Sequence, residues 1–119
     1  MKRLTNKIRQ GGCYAMITVN IWRNEKGRVF QYKVDGHAEE SLVCSAVSAI
    51  TQTAVYGLNE ICNHKIRFEA APGYLLVSFK QEPDRLTDVV METMIRGLIA
   101  IEQKYNNSVY ITDPKKKKV

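Results

Sequence analysis

The sequence predicts an α/β (α+β) two-layer domain in which two helices cover one face of a mixed, mainly antiparallel sheet, in the order β-β-α-β-β-α-β. Three observations lead there. Two runs of alternating apolar and polar residues precede Gly36, the spacing changes abruptly to a helical one after it, and the second half shows the same succession before a short last strand. The pairing order of the strands does not follow from these patterns.

Met1 to Gly12 has no periodicity and closes on Gly11-Gly12, so residues 1–12 are expected to be a basic arm ahead of a single domain over 13–113. Tyr14 to Trp22 alternates, with Ala15, Ile17, Val19 and Ile21 on one side and Thr18 and Asn20 on the other, the pattern of a half-buried strand. Asn24-Glu25-Lys26-Gly27 has turn composition. Val29 to Asp35 follows as a second strand, with Phe30, Tyr32 and Val34 set against Gln31 and Lys33, which makes an antiparallel hairpin.

From Ser41 to about Cys62 the spacing predicts a helix whose apolar stripe is Val43, Val47, Ile50, Ala54, Leu58 and Ile61. Asn63-His64-Lys65 ends it with residues suited to the negative end of a helix, a structural role for His64. Ile66 to Ala70 and Tyr74 to Lys80 form a second hairpin through Ala71-Pro72-Gly73. Pro83 is placed at the first position of a second helix, with Asp84 in its first turn. Its stripe is Leu86, Val89, Val90, Met94, Leu98 and Ile101, with a second set at Met91, Ile95 and Ile99. That exceeds what one sheet face requires, and with Leu76 on the outer side of its strand it points to self-association. Ser108 to Thr112 is a last strand, and residues 114–119 are a Lys-rich tail.

The junction between the first hairpin and the first helix carries the chemistry. Ser41 is a favoured N-cap type, which puts Leu42, Val43 and Cys44 at N1, N2 and N3. Unpartnered N-H groups and the positive end of the helix dipole stabilise a thiolate there. His37 stands on the glycine hinge of Gly36 at the strand end, in reach of that helix terminus as the general base a nucleophilic cysteine needs. Cys44, Ser48 and Gln52 follow one another at helical spacing beside the core stripe, so Ser48 lies one turn below the thiol. Its hydroxyl either bonds within the site or bonds back to the helix. The plainer alternative is that Cys44 is a small packed residue and His37 a loop histidine.

Composition narrows the classes. With 119 residues, 45% hydrophobic and 25% charged, the chain is one ordinary globular domain. No uninterrupted apolar run approaches the roughly 20 residues of a membrane span, and the basic start lacks the apolar stretch of a signal peptide, so neither membrane nor secretion is expected. Three cysteines do not form a disulfide framework, which fits a reducing cytoplasm. Cys62 and His64 are too few for a zinc site, and no cofactor is called for.

The net charge of +6 resides at the ends. Lys2, Arg3, Lys7 and Arg9 begin the chain and Lys115 to Lys118 close it. Taking those eight from the 18 basic residues leaves ten against 12 acidic ones, so the body of the chain is not basic. The ends either attract a polyanion such as ribosomal RNA or only confer solubility.

Gly36-His37-Ala38 followed by Val43-Cys44-Ser45-Ala46-Val47-Ser48, then Thr51-Gln52-Thr53-Ala54 and Gly57-Leu58, resembles the ribosomal-processing cysteine protease family. The likeness covers most of the chain in element order, and the Gly-His to Val-Cys block is its specific part. It implies a homodimeric endopeptidase that removes a short N-terminal extension from a large-subunit ribosomal protein, with His37 as base, Cys44 as nucleophile and Ser48 matching a serine near the site. It also implies an apolar substrate peptide cut after an aromatic residue. Two departures accompany it. The family's longer Gly-rich loop between His and Cys is reduced here to Glu39-Glu40-Ser41-Leu42, and Ser41 stands where the family has Asp. The altered loop also admits a related precursor, such as a phage structural protein.

A different class competes with this one, a non-enzymatic module that docks on ribosome or RNA through its basic ends. The sheet lacks the paired aromatic and basic pattern of single-strand RNA platforms, which counts against it.

Overall fold

The alternation read from the sequence becomes a five-stranded sheet in a computed structural model that describes residues 15–115. The basic arm, Cys13, Tyr14 and Lys116 to Lys118 lie outside the described residues. Strand β1 (Ile17–Arg23) and strand β2 (Val29–Gly36) form an antiparallel hairpin, with Val19 opposite Val34 and Ile21 opposite Tyr32. The Asn24 side chain closes the turn, accepting hydrogen bonds from the amides of Lys26 at 2.9 Å and Arg28 at 3.0 Å. Helix α1 (Ser41–Tyr56) continues as a π-helical turn (Gly57–Ile61). Strands β3 (Ile66–Ala71) and β4 (Tyr74–Phe79) make the second hairpin, helix α2 (Arg85–Lys104) follows, and β5 (Val109–Thr112) ends the order that the sequence predicts.

The sheet order is β3-β4-β2-β1-β5, antiparallel except for the β1–β5 pair. The register puts Val109, Ile17, Ile111, Val19, Val34, Leu75, Ile21, Tyr32 and Val77 on one face, all buried. Val43, Val47, Ala54 and Leu58 of the first helix and Met91, Met94, Ile95 and Leu98 of α2 are buried with them. Fully burying a side chain of this kind contributes about 1.5–3 kcal/mol. The helices pack against each other through two small residues: a Cβ at Gly57 would stand 3.2 Å from Val90, and one at Gly97 would stand 3.1 Å from Ile50.

Several local expectations change. Glu40, with extended backbone, is the N-cap of α1 and offers no side-chain cap, so Ser41 is the first helical residue rather than the cap. Asp84 is the N-cap of α2, sharing a capping box with Thr87, so Pro83 lies before the helix. Ile61 is 78% exposed, because the π turn inserts extra backbone and rotates the stripe past the core. On α2 the buried face takes Met94 and Leu98 from the first apolar set and Met91 and Ile95 from the second, while Leu86 and Val89 of the first set are 60% and 65% exposed. Leu76 lies on the sheet face away from the helices, so it shares no patch with them. Ser41–Ile61 meets the length and composition of a membrane span, but it packs its stripe on the sheet and exposes Ser45, Ser48, Gln52, Asn59 and Glu60, as a core helix does.

Candidate active site

Three segments converge at the end of the sheet where β2 stops, α1 starts and the β3–β4 hairpin turns. β2 ends because Gly36 adopts φ +101°, a conformation that L side chains rarely take. A Cβ there would fall 2.3 Å from the Met16 carbonyl oxygen, so only glycine passes β1 this closely. The chain then leaves the sheet through His37 and Ala38 and enters α1 at Ser41. Opposite, Ala71 and Tyr74 pair across Pro72-Gly73, with Gly73 at φ +70°, the proline-then-glycine arrangement of a type II turn. The two segments are tied by a hydrogen bond from the Gly36 amide to the Gly73 carbonyl, 2.9 Å.

Between them lies a cleft of about 170 Å³. Its floor is Ile17, Val34 and Leu75 from the sheet, and its helical wall is Cys44, Val47, Ser48, Thr51 and Gln52. His37 and Gly73 complete the rim. The sequence-predicted His37, Cys44, Ser48 and Gly36 therefore meet at one cavity, and Ser41 does not line it.

Cys44 occupies the fourth helical position, not the third, because the helix starts one residue earlier than a Ser41 cap implies. Its amide is already engaged, bonded to the Glu40 carbonyl at 3.3 Å. The sulfur has a different donor: the Ala38 amide points at Sγ from 3.2 Å, and Sγ lies 3.6 Å from the Ala38 carbonyl oxygen. An N-H aimed at sulfur strengthens as the sulfur gains negative charge. The thiol is half-buried and the imidazole exposed. Among the described residues His37 has no hydrogen-bond partner, and the thiol bonds to the Ala38 backbone rather than to the ring.

Ser48 is exposed on the wall, and among the described residues its hydroxyl bonds neither across the site nor back to the helix. Thr51 carries the back-bond instead, donating to the Val47 carbonyl at 2.8 Å, while its own carbonyl accepts the Tyr32 hydroxyl at 2.8 Å. Tyr32 is fully buried, and that burial pushes its phenol up. The bond from Tyr32 joins the sheet to the middle of α1 and so holds the helix that presents Cys44.

Cys62 and His64 lie at the other end of α1. Burial, and then the Asp84 carboxylate, push the Cys62 thiol up. His64 is buried, with Nε2 3.3 Å from the Gln81 carbonyl and its ring against Phe79. Gly73 is the residue that the sequence pattern did not assign to the site. Ala71-Pro72-Gly73 was legible as a turn, but its place beside His37 depends on β4 pairing with β2, which no local pattern reveals.

Residues 16–110 match the family described as cysteine protease Prp. A curated relative, the ribosomal processing cysteine protease Prp of Staphylococcus aureus, is 26% identical over 101 residues, covering 79% of this chain and 95% of the relative. A crystal structure of the Staphylococcus aureus protease with a covalently linked product peptide superposes with a TM-score of 0.77 at 24% identity, covering 82% of this chain and 98% of that one. A second, with a substrate peptide, gives 0.76 at 23% identity over the same shares. The fold is thus that of these proteins. The match over residues 16–110 goes further than the fold, and with it the non-enzymatic module gives way: this chain belongs to the cysteine protease Prp family.

Proposed function

We propose that this chain is an endopeptidase that removes a short N-terminal extension from a large-subunit ribosomal protein, or from a related precursor such as a phage structural protein, with Cys44 as nucleophile and His37 as general base. The observation that carries the reading is the meeting of both side chains at one cleft, beside an N-H donor to sulfur. His37 takes the thiol proton, and the sulfur attacks the scissile carbonyl to form a thioester as the peptide bond breaks. The imidazolium returns its proton to the leaving amine. Water, with His37 again as base, then hydrolyses the thioester and frees the thiol. The relatives support the substrate class, since the curated one is named for ribosomal processing and the solved structures hold substrate and product peptides.

The remaining parts of this reading are a single domain over 13–113, cytoplasmic action where ribosomal precursors are made, and a homodimer. Leu86 and Val89 on α2, beside the half-buried Val90, are the apolar surface that favours self-association. The terminal Lys and Arg residues supply a weak polyanion contact that keeps the enzyme near ribosomal RNA. Incubating the chain with precursors that carry an N-terminal extension, followed by mass spectrometry, tests the activity. Loss of the extension in the presence of the wild type and not of Cys44→Ala is expected, and equal trimming by both removes the assignment.

A further inference from the structure

General bases in nucleophilic sites are usually oriented by a third group, most often a carboxylate hydrogen-bonded to the far ring nitrogen. Among the described residues no such group reaches His37. What does reach it is the β3–β4 turn. A Cβ built on Gly73 would lie 2.4 Å from Nε2, 2.8 Å from Cε1 and 3.0 Å from Cδ2 of the His37 ring, and those are its three nearest neighbours. The edge of the imidazole therefore fills the space that any side chain at position 73 would claim. The turn cannot drift from the ring, because the Gly73 carbonyl accepts the Gly36 amide at 2.9 Å and Gly36 is itself pressed against β1.

Resting on the His37 and Cys44 assignment above, we infer that Gly73 is a positioning residue for the reaction: the bare backbone of the Pro72-Gly73 turn holds the imidazole by contact, in the role that an acidic partner plays elsewhere. Its positive φ serves the turn, and its missing side chain serves the ring. The two requirements are separable by experiment. Gly27, in the β1–β2 turn, has a similar φ of +83° but opens only toward the Lys115 side chain, 3.8 Å away. Gly27→Ala thus imposes the same backbone strain with no ring to displace.

Gly73→Ala is expected to lower kcat by about 10²-fold, the loss typical of a reacting group displaced by about 1 Å, with KM altered much less. Gly27→Ala is expected to stay within about threefold of the wild type. The chain has two histidines, so imidazole NMR signals report the geometry without any substrate. In Gly73→Ala the His37 ring signals shift while those of His64, at the far end of α1, do not; in Gly27→Ala neither moves. Unmoved His37 signals in Gly73→Ala, or an equal loss of kcat in both variants, overturns the inference. Failure of the wild type to cleave any extended precursor overturns the protease reading instead, and leaves the NMR comparison to decide where the ring is held.

Discussion

The two ends of the sheet are held by opposite means. At the end away from the cleft, Arg23 is nearly buried and uses four of its five N-H donors: Nε and Nη2 bond to the two Asp113 oxygens at 2.7 and 2.9 Å, and Nη1 bonds to Glu92 at 2.7 Å and the Gly27 carbonyl at 2.8 Å. Arg28 pairs with Asp88 at 3.1 Å in the same region, and the Asp84–Thr87 capping box starts α2 there. At the cleft end, about 20 Å away along β1, His37 and Ser48 have no side-chain partners among the described residues, and backbone positions are secured by two glycines. Saturated polar groups give rigidity, and unsaturated ones give chemistry. The contrast predicts that stability and activity are separable.

The largest effect belongs to the cleft. His37→Ala and Cys44→Ala each abolish turnover of an extended precursor while leaving the circular dichroism spectrum and urea midpoint near those of the wild type, and Cys44→Ser is nearly as damaging because a hydroxyl stays protonated at neutral pH. Residual cleavage in either alanine variant breaks the assignment. The converse variant is Arg23→Met. Removing one partner of a buried pair strands the other charge, so a loss of about 3 kcal/mol in urea unfolding is expected, with turnover per folded molecule unchanged. A parallel loss of turnover means that the two ends are coupled after all.

A milder probe is pH. Burial works against the Asp113 carboxylate, but the Arg23 hydrogen bond and charge, with a hydrogen bond from the Lys115 amide, outweigh it and hold the group below its usual value. A carboxylate whose folded pKa is depressed adds stability above its unfolded pKa, near 3.9, and loses it as pH falls through the folded value. The urea midpoint is therefore expected to drop as the pH is taken from about 5 toward 3, and Arg23→Met removes that part of the slope. Equal slopes in both proteins contradict the role given to the pair.

The smallest effect is expected of Ser41→Asp. An exposed acid at the first helical position gains about 0.3–1 kcal/mol from the helix dipole and, being outside the cleft lining, leaves turnover unchanged or raised. A large fall in kcat instead means that the short His-to-Cys segment communicates with the site through Ser41.

Much of this architecture was legible where the signal is local. The alternation around Val19 and Val34, the turn at Asn24 and the helical stripe through Val43 and Leu58 follow from residues a few positions apart. The place of His37 just ahead of α1, on the same cleft as Cys44, is likewise local in sequence. The helix starts differ from the residue-type expectation, by one residue at α1, where extended backbone at Glu40 is the N-cap in place of Ser41, and by two at α2, where the Asp84 side chain caps a helix that begins at Arg85 and not at Pro83. Ile61 and the first two members of the α2 stripe, Leu86 and Val89, face outward because a π turn and helix–helix packing decide which side faces inward, whereas Met94 and Leu98 of that stripe are buried. Gly73 and the Arg23 cluster depend on strands brought together from distant parts of the chain, which no spacing rule reports.

The parallel pairing of β5 with β1 has a consequence in time. Ile17 pairs with Val109, 92 positions later, so the sheet is completed by the strand made last of the five. Everything that lines the cleft lies between Ile17 and Leu75, and Glu92 is already in place for Arg23, yet β1 remains an open edge and Arg23 lacks its main counter-ion until residue 113 emerges. An open β1 edge is a template for wrong partners. The arrival of β5 closes that edge and delivers Asp113 in one step, so every residue that lines the cleft is synthesised before the strand that completes the sheet beneath it.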